Sequence, residues 1–275
     1  ESDDDSSVNR HYYNHVPEIS YLANIGNFPF LRGAAEVPLG VELPNEFCLT
    51  NVFHPRVVEA AGWYGLFPMA ICLQDDLYTT ALKRHDVRCL MRLNTFRPSR
   101  STRRAARHYT LSFNLAWDDV VELIVARHGH NWLCPPLIRS FGHIHRHPQK
   151  YRVRLYSVEL WRRPPPGSEG PAFLAAAELG LLCGGVYTSL TGAHRYSGSG
   201  SVQLTALLCH LHNCGLEWLD FGMVMDYKLE LGAQPHPLAS WLKVLHEHRE
   251  EEPNIATGER CARSVIDEFL SNLVP

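Results

Sequence analysis

The sequence has no Cys-x-x-Cys pair, although eight cysteines stand at positions 48, 72, 89, 134, 183, 209, 214 and 261. Zinc ribbons and thioredoxin-like redox motifs are thereby excluded. Several of these cysteines sit inside apolar runs, where a free buried thiol is the ordinary occupant, so an intracellular reducing compartment, cytoplasm or mitochondrial matrix, is expected. No uncharged apolar run approaches ~18 residues, which leaves no candidate for a membrane-spanning helix and no membrane partner. A signal-peptide pattern is also missing. The first residue is Glu1 rather than Met, from which an upstream piece is expected. No internal repeat recurs. No Ser-His-Asp or Cys-His constellation stands out, which points away from covalent nucleophilic catalysis. His143 and His147 are one helical turn apart, near His145 and Cys134. They lack a fourth ligand and an intervening Glu, so a helix C-terminal dipole explains them better than a metal does, and no metal is expected.

What is present is ordinary globular composition. Of 275 residues, 45% are hydrophobic and 20% charged, enough apolar chain for a sizeable core in one large domain or two modest ones. A net charge of −3 conceals an asymmetry. Residues 83–107 hold nine Lys or Arg against one acid, Asp86, while acids gather at 1–5 and 247–252. An acidic average is compatible with a basic face toward nucleic acid. Within that segment Pro98 opens a short helix over 99–107, in which Arg100, Arg103, Arg104 and Arg107 recur at i, i+3, i+4 and i+7, on one face. Four guanidinium groups on one face repel each other unless phosphates or carboxylates sit opposite. With Arg97 they form the expected RNA-phosphate track.

The remaining chain alternates strands and helices. Residues 1–10 are an acidic, serine-rich tail expected to be disordered. Residues 11–44 are aromatic and punctuated by Gly26, Pro29, Gly33 and Pro38, as in a strap laid over a core. Pro55 marks the first turn of a helix over 56–64, and a strand over 69–73 follows Gly65-Leu66-Phe67-Pro68. Asp75 and Asp76 fit an Asp-rich turn better than a catalytic pair. Strands are expected over 87–93, 109–114 and 151–161, and helices over 117–127 and from Pro135 through His147. A stiff proline-rich excursion occupies 164–171, and amphipathic helices cover 237–248 and 259–273.

The most informative stretch runs from Ala172 to Ala233. Two apolar runs of strand length, 172–179 and 181–189, are expected to bend at Gly180. The loop Arg195-Tyr196-Ser197-Gly198-Ser199-Gly200-Ser201 then leads into helical spacing over 202–214, with Gly215 at the stop. A short strand over 216–219 ends at Asp220, and Phe221 to Tyr227 opens another helix. A small-residue loop at a helix N-terminus directs backbone N–H groups at one point, which attracts phosphate or an oxyanion. Arg195, Gly198, Ser199, Gly200 and Ser201 are the expected phosphate loop. The order of elements gives an α+β class with a mixed or antiparallel central sheet flanked by helices.

The Arg195-x-x-Gly198-x-Gly200 loop resembles the pyrophosphate loop of GNAT-type acyltransferases. Over residues 65–233 the chain resembles the leucyl/phenylalanyl-tRNA–protein transferases. The carrying residues are Gly65-Leu66-Phe67-Pro68, the basic helix of 96–107 and Asn131-Trp132-Leu133. They continue with Tyr156-Ser157-Val158-Glu159-Leu160-Trp161-Arg162, Thr205-Ala206-Leu207, Leu219-Asp220 and Leu231-Gly232-Ala233. The resemblance implies a GNAT-like aminoacyltransferase domain over 109–275, preceded by a strap and basic-helix subdomain over 11–108. It implies transfer of Leu, Phe or Met from aminoacyl-tRNA, the co-substrate in place of any cofactor, to a protein N-terminus bearing Lys or Arg, which marks that protein for degradation. Phe67, Met69, Trp132 and Tyr187 are then the expected pocket for the aminoacyl group and 3′ adenosine. Asp220, Asp226 and Tyr227 are the polar candidates for catalysis.

The chain departs from that pattern. The resemblance places a glutamine two residues after Asp220, where Gly222 stands, and a glutamate within the segment Thr188-Ser189-Leu190-Thr191. A tryptophan after Phe67-Pro68 is replaced by Met69. Two alternatives therefore stand beside the transferase. One is an inactive transferase-like fold serving as a binding or structural subunit of a large, possibly RNA-containing assembly. The other is an acyl-CoA-dependent N-acyltransferase using residues 195–201 for the pyrophosphate.

Overall fold

A computed structural model describes residues 47–50, 52–74, 77–164 and 170–273. The acidic tail, the strap over 11–44, Asp75 with Asp76, and residues 165–169 of the proline-rich excursion lie outside the described residues. In chain order the elements begin with β1 (Phe47–Thr50), α1 (Pro55–Trp63), β2 (Phe67–Gln74), β3 (Leu77–Lys83) and β4 (Val87–Arg92). Next come α2 (Arg100–Ala105), β5 (Tyr109–Phe113), α3 (Trp117–His128), α4 (Pro135–Arg146) and β6 (Val153–Arg162). Then follow β7 (Phe173–Cys183), β8 (Val186–His194), α5 (Ser199–Asn213), β9 (Trp218–Asp220) and α6 (Asp226–Glu230). Last are β10 (Gln234–Pro237), α7 (Leu238–His248), β11 (Arg260–Cys261) and α8 (Ala262–Asn272).

These elements fall into two compact units: residues up to Arg84 with His128–Arg154, and His85–Arg127 with Leu155 onward. The basic-helix segment, expected before 109, falls within the second of these units. Strand β4 hydrogen-bonds β9, with Leu90 opposite Asp220, so the basic segment that follows β4 belongs with the larger sheet. In the first unit, β1, β3 and β2 form an antiparallel sheet in that order. Helix α1 starts where the His54 ring accepts the Arg56 N–H at 3.1 Å and Pro55 fills the first helical position. Its Glu59 is buried, paired to Arg56 at 2.7 Å and accepting the Arg152 N–H at 2.8 Å. A buried carboxylate so partnered is structural.

Among the described residues, the second unit is built on eight strands in the order β10-β4-β9-β8-β7-β6-β5-β11. With helices packed on it, this is the expected α+β class, the pairing being mostly antiparallel. Helix α5 begins at Ser199, just after Gly198 at φ +80°, and stops before Gly215 at φ +88°. Leu207, Leu208 and Leu211 of this helix join Phe113, Val158, Leu160, Val265 and Phe269 in one buried cluster.

The β7–β8 hairpin corrects the expected bend at Gly180. Cys183 pairs with Val186 across a two-residue turn, Gly184-Gly185, with Gly184 at φ +55°. Gly180 sits instead at a bulge, where the register shifts between Leu179 and Gly180. A Cβ there would collide with the Tyr187 hydroxyl. Strands β1, β3, β10 and β11 have no counterpart among the strands expected from the sequence. For β10 the reason is plain: Gln-Pro-His-Pro reads as a loop, and it pairs only with β4 at the sheet edge, where missing N–H donors are tolerated.

One feature of this sheet positions the site. Strands β8 and β9 run parallel, joined through α5, and pair only from Val186–Trp218 to Thr188–Asp220. Strand β9 ends there while β8 continues to His194. The second half of β8 thus has no β9 neighbour, and a crevice opens beyond the carboxyl end of β9.

Candidate active site

That crevice is a cavity of about 660 Å³ within the second unit. One wall is the free half of β8, with Ser189, Gly192, Ala193 and His194, and with Glu178 from neighbouring β7. The start of α5 gives Gly200, Ser201, Gln203, Leu204 and Thr205. Phe221, Tyr227, Glu230 and Leu231 come from the chain after β9, and Phe96, Arg97, Ser99 and Thr102 from the segment that opens α2.

Glu178 is the most unusual group here. It is only 4% exposed, and Gly192 lies directly opposite it in the β7–β8 register. Tyr187 donates its hydroxyl proton to Glu178 Oε1 at 3.3 Å. Burial raises the Glu178 carboxyl to about 8, against the hydrogen bonds from Ser189 and Tyr187 and the charge of Lys228, which lower it. Gln203 is also 4% exposed, and its Nε2 has no hydrogen-bond partner. A buried primary amide without an acceptor carries a desolvation cost that a ligand atom would relieve.

Asp220 does not line the cavity. It is completely buried. Arg88 grips it bidentately, through Nε to Oδ1 at 3.1 Å and through Nη2 to Oδ2. Thr188 donates to Oδ2 at 3.0 Å, and the Gly222 N–H donates to Oδ1 at 2.8 Å. Both oxygens are committed, so Asp220 fastens the loop after β9 to β4 and β8. The same loop is held from its far side by Lys228, 7% exposed, whose ammonium donates to the carbonyls of Phe221 at 2.7 Å and Met223 at 2.8 Å. Desolvation lowers the Lys228 pKa. Asp226 is exposed at the first turn of α6, away from the cavity lining, whereas Tyr227, 49% exposed, lines it. Burial of the phenol raises the Tyr227 pKa.

The other expected groups separate in the same way. Gly200 and Ser201 of the phosphate loop line the cavity. Ser199 is buried, its hydroxyl donating to the carbonyls of Ala175 at 3.0 Å and Tyr196 at 2.7 Å, and Arg195 and Gly198 are exposed outside the lining. Tyr187 is fully buried and acts on the cavity through Glu178. Phe67, Met69 and Trp132 are half-buried in the first unit, the Phe67 and Trp132 rings 6.3 Å apart. On the basic track, Arg97, Arg100, Arg104 and Arg107 are exposed. Arg97 lines the cavity, and its Nη1 donates to the carbonyls of Asn94 and Phe96, both at 2.8 Å. Arg103 meets Asp267 at 2.7 Å, a carboxylate that Arg263 also contacts. Among the described residues no group of His, Cys, Asp and Glu is placed to hold a metal, and no helix is long and apolar enough to cross a membrane.

A family model, leucyl/phenylalanyl-tRNA protein transferase, matches residues 90–246. That span is more than half the chain and takes in every residue that lines the cavity. The chain belongs to this family. It is 23% identical to a leucyl/phenylalanyl-tRNA–protein transferase from Shewanella denitrificans over 240 residues, covering 85% of this chain and 94% of that one. A relative of the same name from Chlorobium luteolum is 26% identical over 186 residues, 66% of this chain and 88% of its own. Among solved structures, the chain matches the C-terminal domain of a protein described as a lysylphosphatidylglycerol synthetase from Agrobacterium fabrum. The TM-score there is 0.37 at 13% identity, over 70% of this chain and 69% of that one. Two residues after Asp220 the chain has Gly222, at φ +70°, and in the segment 188–191 Thr188 and Leu190 are buried. Glu178, Gln203 and Lys228 are the polar groups that sequence reasoning missed. Glu178 lies within an apolar run, and its place opposite Gly192 emerges only from the β7–β8 register.

Proposed function

We propose that the chain transfers Leu, Phe or Met from aminoacyl-tRNA to the α-amine of a protein whose N-terminal residue is Lys or Arg. The observation that carries this reading is the cavity: a recess with buried polar groups in its lining lies wholly within the span matched by the family model. An aminoacyl ester is already activated, so a site that aligns the amine with the carbonyl and stabilises the developing oxyanion suffices, and no covalent nucleophile is required. The parallel β8–α5–β9 crossover, with a glycine-rich loop at the helix start, supports a GNAT-like arrangement of the second unit. Arg97, Arg100, Arg104 and Arg107 are the cationic track for the tRNA backbone. Phe67 and Trp132 are the candidates for stacking a base. Cys89, Cys134 and Cys209, buried as free thiols, support a reducing compartment.

A second reading has its own observation. Asp220 is fully engaged by Arg88, Thr188 and Gly222, as in a binding protein that keeps the fold without the transfer. A transfer assay separates the two. Purified protein with Leu-, Phe- or Met-charged tRNA is expected to label a Lys-led or Arg-led peptide and to spare a Gly-led control. Protein that binds charged tRNA yet labels neither peptide is the result that favours the binding reading.

A further inference from the structure

This inference rests on the transfer reading and assigns a residue to its proton chemistry. We propose that Glu178 receives the proton of the attacking α-amine and passes it to the departing ribose oxygen, while Gln203 Nε2 faces the carbonyl oxygen. The amine nitrogen bonds to the aminoacyl carbonyl carbon, and the ester C–O bond to the ribose breaks. One N–H proton goes to the Glu178 carboxylate and from there to the ribose hydroxyl that leaves. Nothing is oxidised or reduced.

Three observations converge on this assignment. Glu178 and Gln203 line the same cavity, and each is only 4% exposed. Gln203 Nε2 is a donor without an acceptor, and a carbonyl gaining negative charge is the acceptor such a donor stabilises most. The other buried acids of this unit accept more hydrogen bonds than Glu178, which accepts from Tyr187 and Ser189. Asp220 accepts four hydrogen bonds away from the cavity, and Glu159 accepts from Ser112, Ser157 and the Ala116 N–H.

The titratable groups around Glu178 come from two elements besides its own strand. Tyr187 of β8 donates to it, and from α6 the ammonium of Lys228 and the phenol of Tyr227 interact with it electrostatically. A carboxyl titrating at about 8 is matched to proton transfer near neutral pH.

The test is the pH dependence of kcat/KM for transfer to an Arg-led peptide. Below neutrality, wild-type log kcat/KM is expected to rise with a slope near ~2, from ionisation of Glu178 together with deprotonation of the peptide amine. Glu178→Gln keeps the shape but accepts no proton, so kcat at pH 8 is expected to fall by at least ~100-fold and the slope to drop to ~1. Tyr187→Phe removes a hydrogen bond that holds the Glu178 carboxyl down, so its acid limb should move to higher pH. A purely structural role would not move that limb. Glu178→Gln at wild-type rate with a slope near ~2 overturns the assignment and leaves the transfer reading standing. A wild-type chain that transfers from no charged tRNA overturns both. If thermal melts show Glu178→Gln unfolded, Tyr187→Phe decides, and an unshifted limb overturns the assignment.

Discussion

Asp220 and Glu178 are both buried acids of the same unit, and their surroundings give them opposite parts. A bidentate guanidinium, a hydroxyl and a backbone N–H surround Asp220, and removing one partner from such a buried pair costs about 3–5 kcal/mol. Glu178 receives two hydroxyl hydrogen bonds and no guanidinium, and its pKa lies at about 8 against an ordinary 4.5. The folded chain therefore holds this proton more tightly than the unfolded chain does. Between about pH 4.5 and 8 the unfolded carboxyl ionises and the folded one does not, so stability falls as pH rises through that window. The full effect is on the order of 5 kcal/mol. Glu178→Gln abolishes it. The melting temperature of the variant minus that of wild type is expected to increase from pH 5 to pH 9, whatever the variant does to activity. A difference that stays flat across this range would contradict a buried neutral carboxyl. A residue that destabilises the fold at working pH is the kind retained for function.

At the scale of elements, the β7–β8 hairpin holds this carboxyl in place. The missing side chain at Gly180 leaves space for the Tyr187 hydroxyl, Tyr187 donates to Glu178, and Gly192 sits opposite Glu178. Gly180→Ala inserts a methyl where the hydroxyl lies, and overpacking of this kind costs about 1–3 kcal/mol. The expected result is a lower denaturation midpoint and weaker transfer than the same substitution gives at Gly258, where a Cβ meets nothing. Sequence patterns revealed only part of this hairpin. The helical period after Ser201 and the stop at Gly215 identify α5 correctly. Gly180, however, looks like a turn because a glycine between two apolar runs is ambiguous between bend and bulge, and cross-strand register decides which. Glu178 escaped for the same reason, since an acid within an apolar strand has meaning only once its opposite residue is known. Strand β10 escaped because its two prolines argue against strand when the edge position is unknown.

On the scale of the whole molecule, the sequence made the family and the α+β class legible, because order and spacing of short motifs survive divergence to 23–26% identity. The division into units was not legible: the first unit draws on two separate chain segments, and linear reading cannot join them. Charge behaves similarly. The net value of −3 conceals a basic segment, and only the structure separates its arginines into those available and those engaged. Arg103 is held at Asp267 together with Arg263, so reversing it would disturb the α2–α8 packing as well as any RNA contact. Arg100 and Arg104 are exposed and make no ion pair among the described residues. Arg100→Glu with Arg104→Glu is therefore the clean test of the track. Each phosphate contact contributes roughly one unit to the slope of log affinity against log salt, so the double variant should bind tRNA more weakly, with a slope lower by about 2. Its melting temperature should stay within a few degrees of wild type, because neither side chain supports the core. Titrations of tRNA binding at several salt concentrations read both quantities. An unchanged slope would place the tRNA backbone away from α2, and the exposed arginines of this helix would then be ordinary solvated charges.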